Sequence, residues 1–233
     1  MMNNGLGATP EQLGVRPSAE LSQRFLTHAF GWMFAGLLLT AGVAYAVQSS
    51  ETLTQFAARS YLFLFIGQIA LVWIIAGAIN RISATVALAL FFVYAATLGL
   101  TVGLVVQAYT GASVTTAFLS ASAMFGAAAL YGVTTKRSLA SVGAIAFMGL
   151  IGLLVAMVVN LFLNSPQITW IISIIGVVIF TALTAYDVQR IQNGTLAAAV
   201  GSLEKGSVIG ALALYLDFIN LFFFLLRLTG GRR

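Results

Sequence analysis

The chain has no cysteine and a single histidine among its 233 residues. The missing thiols exclude zinc–thiolate centres, iron–sulfur clusters and thiol–disulfide redox chemistry. The single histidine, His28, lies near the N-terminus, and we interpret it as an interfacial polar residue rather than a catalytic one. No predicted span contains a lysine or a histidine, so neither a retinal Schiff base nor an intramembrane serine protease fits the sequence.

Charge is also scarce. Asp, Glu, Lys and Arg make up 7% of the chain, whereas they make up roughly 25% of an ordinary soluble protein. Hydrophobic residues make up 60%, and the mean hydropathy is +1.01. Because a soluble protein of this length needs more polar surface than that, the composition predicts an all-α, polytopic integral membrane protein.

Seven apolar runs are long enough to cross a bilayer, which takes about 20 residues in a helix. They are Ala29–Gln48, Tyr61–Ile79, Ala84–Gln107, Thr115–Val133, Val142–Leu163, Ile168–Tyr186 and Val208–Leu228. We therefore predict an N-terminal tail (1–28), a seven-helix transmembrane domain (29–228) and a short C-terminal tail (229–233). The connectors are short, apart from residues 187–207.

The N-terminal tail leaves two readings open. Residues 1–17 have the composition of a disordered segment. From Ser18 onward the pattern fits either a helix lying on the membrane surface or a simple extension of the first span.

The basic residues indicate the orientation. With the N-terminus in the cytoplasm, that side holds seven Lys and Arg residues and the other side holds four: Arg16, Arg24, Arg81, Lys136, Arg137, Arg190 and Lys205 against Arg59, Arg227, Arg232 and Arg233. The positive-inside rule then favours a cytoplasmic N-terminus and an external C-terminus. The net charge of +5 is explained by anionic lipid and does not call for a nucleic-acid partner. Short loops, a short tail and the lack of a targeting peptide favour a bacterial inner membrane, with an organelle membrane as the alternative.

Small residues recur four positions apart on three of the spans: Gly99 and Gly103, Ala128 and Gly132, and Gly206 and Gly210. This spacing predicts close packing of helix backbones.

Asp217 is the most informative of the six acidic residues. It lies nine residues after Val208, about 14 Å into the last span. A carboxyl group at that depth must be neutral, paired or hydrated. It is therefore either a protonated group that bonds a neighbouring helix or an ion or proton site.

Asp187 closes the sixth predicted span and has two candidate partners. Arg190, three residues later, would form a local ion pair, and Arg81 lies at the inner end of the second span. Arg81 is alternatively a snorkelling residue that marks topology. Three nearby polar side chains could add hydrogen bonds around the acids: Tyr186, Tyr215 and Asn220.

The predicted boundaries do not bring the two aspartates together. Asp187 would lie about 28 Å along its span, near the inner face, with Asp217 nearer the middle of the membrane. For the two to touch, one span must be displaced from its predicted position, or water must bridge them.

The run from Leu214 to Phe222, which reads Leu-Tyr-Leu-Asp-Phe-Ile-Asn-Leu-Phe, resembles the last-span signature of the transmembrane Bax inhibitor motif family. Leu-Leu-Arg at residues 225–227 continues that signature. Supporting matches are Tyr186-Asp187 followed by Gln189-Arg190-Ile191, and Tyr131 with Thr135-Lys136 before a Leu-Ala-Ser connector. The resemblance covers nearly the whole chain from about Arg24.

The resemblance implies a seven-helix bundle around the last span and a pH-sensitive calcium leak. It assigns Asp187 and Asp217 as a proton-sensing pair and as candidate calcium ligands, with Arg81 as the counter-ion that exchanges contacts with them. One departure is Gln68, which stands where relatives carry an acid on the second span, so any calcium contact from that acid is in doubt.

The expected mechanism follows from the chemistry of the pair. Two carboxylates close together in a low dielectric cannot both ionise cheaply, so they would share a proton and titrate as a unit. We expect no enzymatic activity and no resident cofactor, although two aspartates are also what an intramembrane aspartyl protease requires. The expected partners are the lipid bilayer, protons and calcium ions. The alternative is a membrane scaffold that modulates a membrane protease or another partner without conducting ions.

Overall fold

A computed structural model describes residues 19–231, with side chains from residue 22 onward. Within these residues there are nine helices and no β-strand: α1 Ala19–Ser49, α2 Glu51–Arg59, α3 Tyr61–Ala78, α4 Ala84–Gln107, α5 Gly111–Thr134, α6 Ala140–Leu163, α7 Pro166–Gln192, α8 Thr195–Val200 and α9 Leu203–Thr229. Seven of them, all except α2 and α8, are long and apolar enough to cross a membrane. The predicted all-α, seven-span architecture is confirmed.

The first span begins earlier than its apolar run. Helix α1 continues without a break for 31 residues, roughly 46 Å, which exceeds the thickness of a hydrocarbon core. Of the two readings of the segment after Ser18, the continuous extension is the one observed. Ser18 itself and the tail of residues 1–17 lie outside the described residues.

The last two spans are longer than predicted, and the difference affects the position of the candidate site. Helix α7 runs six residues beyond Tyr186, and α9 begins five residues before Val208. The polar side chains after Tyr186 ended the apolar run, but they do not interrupt the helical hydrogen-bond ladder. Helix α7 ends shortly before Gly194 (φ 72°), and the short helix α8 ends before Gly201 (φ 65°). Both glycines take the left-handed conformation, which glycine adopts without strain. The expected connector of residues 187–207 is therefore mostly helical.

The described chain divides into two compact units. One comprises the residues up to Ala108 together with Arg190–Tyr215, and the other comprises Tyr109–Gln189 together with the residues from Leu216 onward.

In the first unit, α1 packs closely against α4. A Cβ atom at Gly99 would lie 2.7 Å from Cβ of Val43, and one at Gly103 would lie 2.7 Å from Cβ of Val47. Only glycine allows this approach, so the packing predicted from the glycine spacing is confirmed here.

In the second unit, glycines again mark the tightest approaches. Gly132 on α5 meets the backbone carbonyl of Ala185, and Gly143 on α6 meets the ring of Tyr186. Both contacts are made with the same stretch of α7, which fixes the part of that helix that carries Asp187.

Helix α9 is the most enclosed of the spans. In its most apolar stretch 72% of the residues are buried, against 11–44% in the other six. This agrees with the central position predicted for the last span.

Candidate functional site

The register between α7 and α9 in the second unit is set by two contacts. The Thr184 side chain lies within hydrogen-bonding reach of the Asp217 carboxyl group. A Cβ atom at Gly176 would lie 2.6 Å from the Phe224 ring. From Thr184 to Gly176 is eight residues back along α7, and from Asp217 to Phe224 is seven residues forward along α9. The two helices are therefore antiparallel, and the two contacts are nearly the same distance apart on both.

This register brings the two predicted aspartates close together. Asp187 is three residues beyond Thr184, so it is displaced from the level of Asp217 by slightly less than one helical turn, about 4.5 Å along the axis. The two carboxyl groups are within electrostatic reach of each other. The extension of α7 to Gln192 removes the difficulty that the predicted boundaries created, because Asp187 no longer lies at the end of its helix.

Asp217 is buried, and its carboxyl group is only partly satisfied. Its residue is 4% exposed, and Oδ2 has no hydrogen-bond partner among the described residues. A buried polar atom without a partner is rare in folded proteins and calls for a specific reason. Within a membrane span, the usual reason is a functional ion or proton site.

The hydroxyl group of Thr184 has a hydrogen-bond acceptor in its own helix as well as the Asp217 carboxyl group nearby. Thr184 Oγ1 donates to the backbone carbonyl of Phe180 at 2.7 Å, and a hydroxyl group has only one proton to donate. While that proton stays on the Phe180 carbonyl, Oγ1 offers only lone pairs to Asp217. With the hydroxyl group turned the other way, the same proton would bond an ionised Asp217 carboxylate, so Thr184 can serve either protonation state.

Aromatic side chains border the site on the α5 side. The ring of Phe218, the residue after Asp217, packs edge-to-face against Phe118 at 5.7 Å and Phe125 at 5.6 Å between ring centroids. This T-shaped packing is a favoured arrangement of aromatic rings. It joins α5 to the part of α9 that carries Asp217.

The other predicted site residues differ in setting. Asp187, Tyr186 and Arg190 are half-buried on α7. Arg81 lies in the turn that follows α3, and its side chain is exposed.

Two predicted supporting residues bond elsewhere. Asn220 donates its amide group to the carbonyl of Leu216 in its own helix, at 2.8 Å. The Tyr215 hydroxyl lies 2.5 Å from Thr40 Oγ1. Since Thr40 donates its own proton to the Ala95 carbonyl at 2.9 Å, Tyr215 is the donor to Thr40. Their roles beside the acids stay predictions.

Gln189 is a positioning residue that the sequence analysis did not single out. Its Oε1 accepts the Leu139 N–H at 2.8 Å, and its Nε2 donates to the Arg137 carbonyl at 2.9 Å. The side chain is 9% exposed, and it fastens the α5–α6 loop to α7 two residues from Asp187. Two features of the sequence could have indicated this role: Gln189 belongs to the Gln-Arg-Ile match, and it is a polar residue in an apolar helix.

A calcium ion would find few ligands here. Among residues 19–231 no group of three or more His, Cys, Asp or Glu side chains is placed to hold a metal. Calcium takes six to eight oxygen ligands, so the aspartate pair would need hydroxyl groups, carbonyl groups or water to complete the shell. Gln68 is occupied in the first unit, where its amide group donates to the Thr97 carbonyl and to Thr101 Oγ1.

Comparison with known proteins places the chain in a family. A sequence model of the family described as "Inhibitor of apoptosis-promoting Bax1" matches residues 22–233. The inner membrane protein YbhL of Escherichia coli K12 is 44% identical over 225 residues, which cover 94% of this chain and 96% of that protein. An uncharacterized protein of Deinococcus radiodurans is 42% identical over 95% of this chain and 97% of its own. One from Borreliella burgdorferi is 39% identical over 91% and 94%. The chain is therefore an integral membrane protein that belongs to the Bax-inhibitor-1-like family.

Proposed function

We propose that the chain is a pH-sensitive calcium leak whose gate is the Asp187–Asp217 pair. The observation that carries the proposal is the buried Asp217 carboxyl group, which has an unpartnered Oδ2 atom and lies within the electrostatic reach of a second carboxyl group. Two carboxyl groups that share a low-dielectric site titrate as a unit, so a single proton or cation changes the charge of the pair.

The proton and the cation would compete for the pair. When the carboxyl groups share a proton, the site loses negative charge, and Asp217 can bond to Thr184 as a neutral acid. When both are ionised, their repulsion in a low dielectric favours a bound cation or a packing that hydrates them. Arg81 is the counter-ion that the family resemblance implies, and this role stays a prediction, since the Arg81 side chain is exposed in the turn after α3.

Calcium is the permeant ion in this proposal and is not a resident cofactor. The two carboxylates and the Thr184 hydroxyl are hard oxygen ligands, which suit calcium better than softer metals. A site with so few protein ligands binds weakly, and a conduction pathway requires weak binding so that the ion can leave.

The test is calcium flux into liposomes that contain the purified protein, measured from pH 6 to 8. Asp217→Asn keeps the size of the side chain but removes its titration, so we expect the pH dependence to disappear. Glu204→Gln is the matched control, because it makes the same change at an exposed acid on the same helix. A wild-type flux no larger than that of empty liposomes would refute the leak. Equal effects of the two substitutions would refute the role of Asp217.

The burial of Asp217 also favours one second candidate, a membrane scaffold that modulates a protease or another membrane protein. A carboxyl group that is 4% exposed and bordered by packed aromatic rings could serve as structural glue between helices. In that case liposomes would show no flux, and Asp217→Asn would instead weaken the fold.

We also propose that the N-terminus is cytoplasmic and the C-terminus external, in a bacterial inner membrane. Because the natural chain has no cysteine, single cysteines report topology without further engineering. Ser138→Cys in the α5–α6 loop should resist a membrane-impermeant maleimide on intact cells. Gln167→Cys at the start of α7 should react, and the reverse pattern would invert the proposed orientation.

A further inference from the structure

A lysine from α9 reaches the turn that carries Arg81 in the first unit. Lys205 Nζ, in the first turn of α9, donates to the backbone carbonyl of Asn80 at 3.4 Å. Asn80 immediately precedes Arg81, whose side chain is exposed. The fold therefore brings an ammonium group to the residue next to a guanidinium group, and such like charges repel unless an anion compensates them.

The backbone that carries Arg81 is held firmly. The N–H groups of Arg81 and Ile82 both bond to the Ala78 carbonyl, at 2.8 and 3.1 Å. Ile79 is 4% exposed and anchors the turn. A ligand that bound the exposed guanidinium group would therefore meet a turn that is already ordered, which lowers the entropy cost of binding.

The same turn leads into the N-terminus of α4. Ser83 Oγ accepts the N–H group of Val86 at 3.2 Å, while the N–H groups of Ala84 and Thr85 have no partner inside the helix. The positive end of the helix dipole adds to the two cations. The one acid beside them in sequence, Glu204, is exposed, so the local balance is positive.

We propose that this cationic turn, defined as Arg81, Lys205 and the first amide groups of α4, binds the phosphate group of an anionic phospholipid. The turn joins two membrane-spanning helices and so lies at a membrane surface. The two helices that flank the turn carry exposed apolar side chains, Ile74 on α3 at 50% and Val86 on α4 at 47% exposure. A ligand with both a phosphate group and acyl chains matches this surface better than a free anion does, and basic sites between spanning helices commonly hold such headgroups.

The test is lipid binding by the purified full-length protein in detergent, followed by native mass spectrometry. The probes are phosphatidylglycerol and phosphatidylcholine with identical acyl chains. Each surface cation is worth about fivefold in affinity for an anionic lipid, so Arg81→Gln with Lys205→Gln should weaken phosphatidylglycerol binding by about 25-fold. Phosphatidylcholine binding should not change.

The matched control is Lys136→Gln with Arg137→Gln, which removes two positive charges from another exposed loop. We expect this pair to change phosphatidylglycerol binding by less than about threefold, because it lies outside the cationic turn. The charge-conserving exchange Arg81→Lys with Lys205→Arg should retain most of the affinity, and it separates lost charge from lost folding.

Three results would overturn the proposal. An equal loss in the control pair would indicate diffuse attraction to the whole basic surface. Equal affinity for phosphatidylcholine would mean that the headgroup charge is not recognised. Displacement of phosphatidylglycerol by inorganic phosphate at the same concentration would assign the turn to a free anion.

Discussion

Replacing Gln189 with Met tests whether the α5–α6 loop depends on a single side chain of α7. Methionine has a similar length and is apolar, so it fills the space without making either hydrogen bond. The Leu139 N–H group and the Arg137 carbonyl group would both lose the bonds that Gln189 now provides at 2.8 and 2.9 Å. Leu139 is 4% exposed, so water cannot readily replace the lost acceptor.

The size of the effect follows from these two bonds. A buried donor left without a partner costs about 1–3 kcal/mol, whereas hydrogen bonds between membrane helices average about 0.6 kcal/mol. For two bonds at the end of a helix we expect Gln189→Met to lower the free energy of unfolding by about 1–3 kcal/mol.

The measurement is unfolding in mixed micelles with increasing sodium dodecyl sulfate, monitored by circular dichroism. Gln55→Met is the control, since Gln55 is exposed on α2 and its loss should change the free energy of unfolding by less than about 0.5 kcal/mol. A Gln189→Met effect no larger than that of the control would refute the two-bond account.

The remaining predictions concern packing and a buried hydroxyl group. Gly132→Ala places a methyl group against the backbone of α7 and should destabilise the protein by about 1–3 kcal/mol, whereas Gly126→Ala on the same helix meets nothing within 4 Å and should be neutral or slightly stabilising in the same unfolding assay. Tyr215→Phe removes the donor to Thr40 and should cost about 1 kcal/mol, while Tyr61→Phe at a half-exposed ring should cost less than about 0.5 kcal/mol. These arguments would be contradicted if Gly126→Ala lowered the free energy of unfolding as much as Gly132→Ala. They would also be contradicted if Tyr61→Phe lowered it as much as Tyr215→Phe.

The number and positions of the spans could be predicted because each depends on a local property. A run of about 20 apolar residues must cross the bilayer as a helix, whatever its neighbours are. For the same reason the predicted ends of α4, Ala84 and Gln107, coincide with the observed ones. The predicted ends failed where a helix continues through polar residues, as α7 does beyond Tyr186.

Only part of the candidate site could be predicted from the sequence. Asp217 stood out because a carboxyl group within a span is expensive and needs an explanation. The role of Gln189 did not stand out, since its partners are backbone groups of a loop about 50 residues away in the chain. Backbone partners leave no mark in the sequence at their own positions.

The sequence by itself determined the membrane class, the seven spans and the acid that lies deepest within them, because apolar length and charge scarcity act residue by residue. Only the tertiary structure decided that Asp187 approaches Asp217, that Thr184 lies at the level of Asp217, and that Lys205 reaches the residue before Arg81. Each of these depends on the axial register of two helices, and a shift of one residue in a helix start moves a side chain by about 1.5 Å and turns it by about 100°.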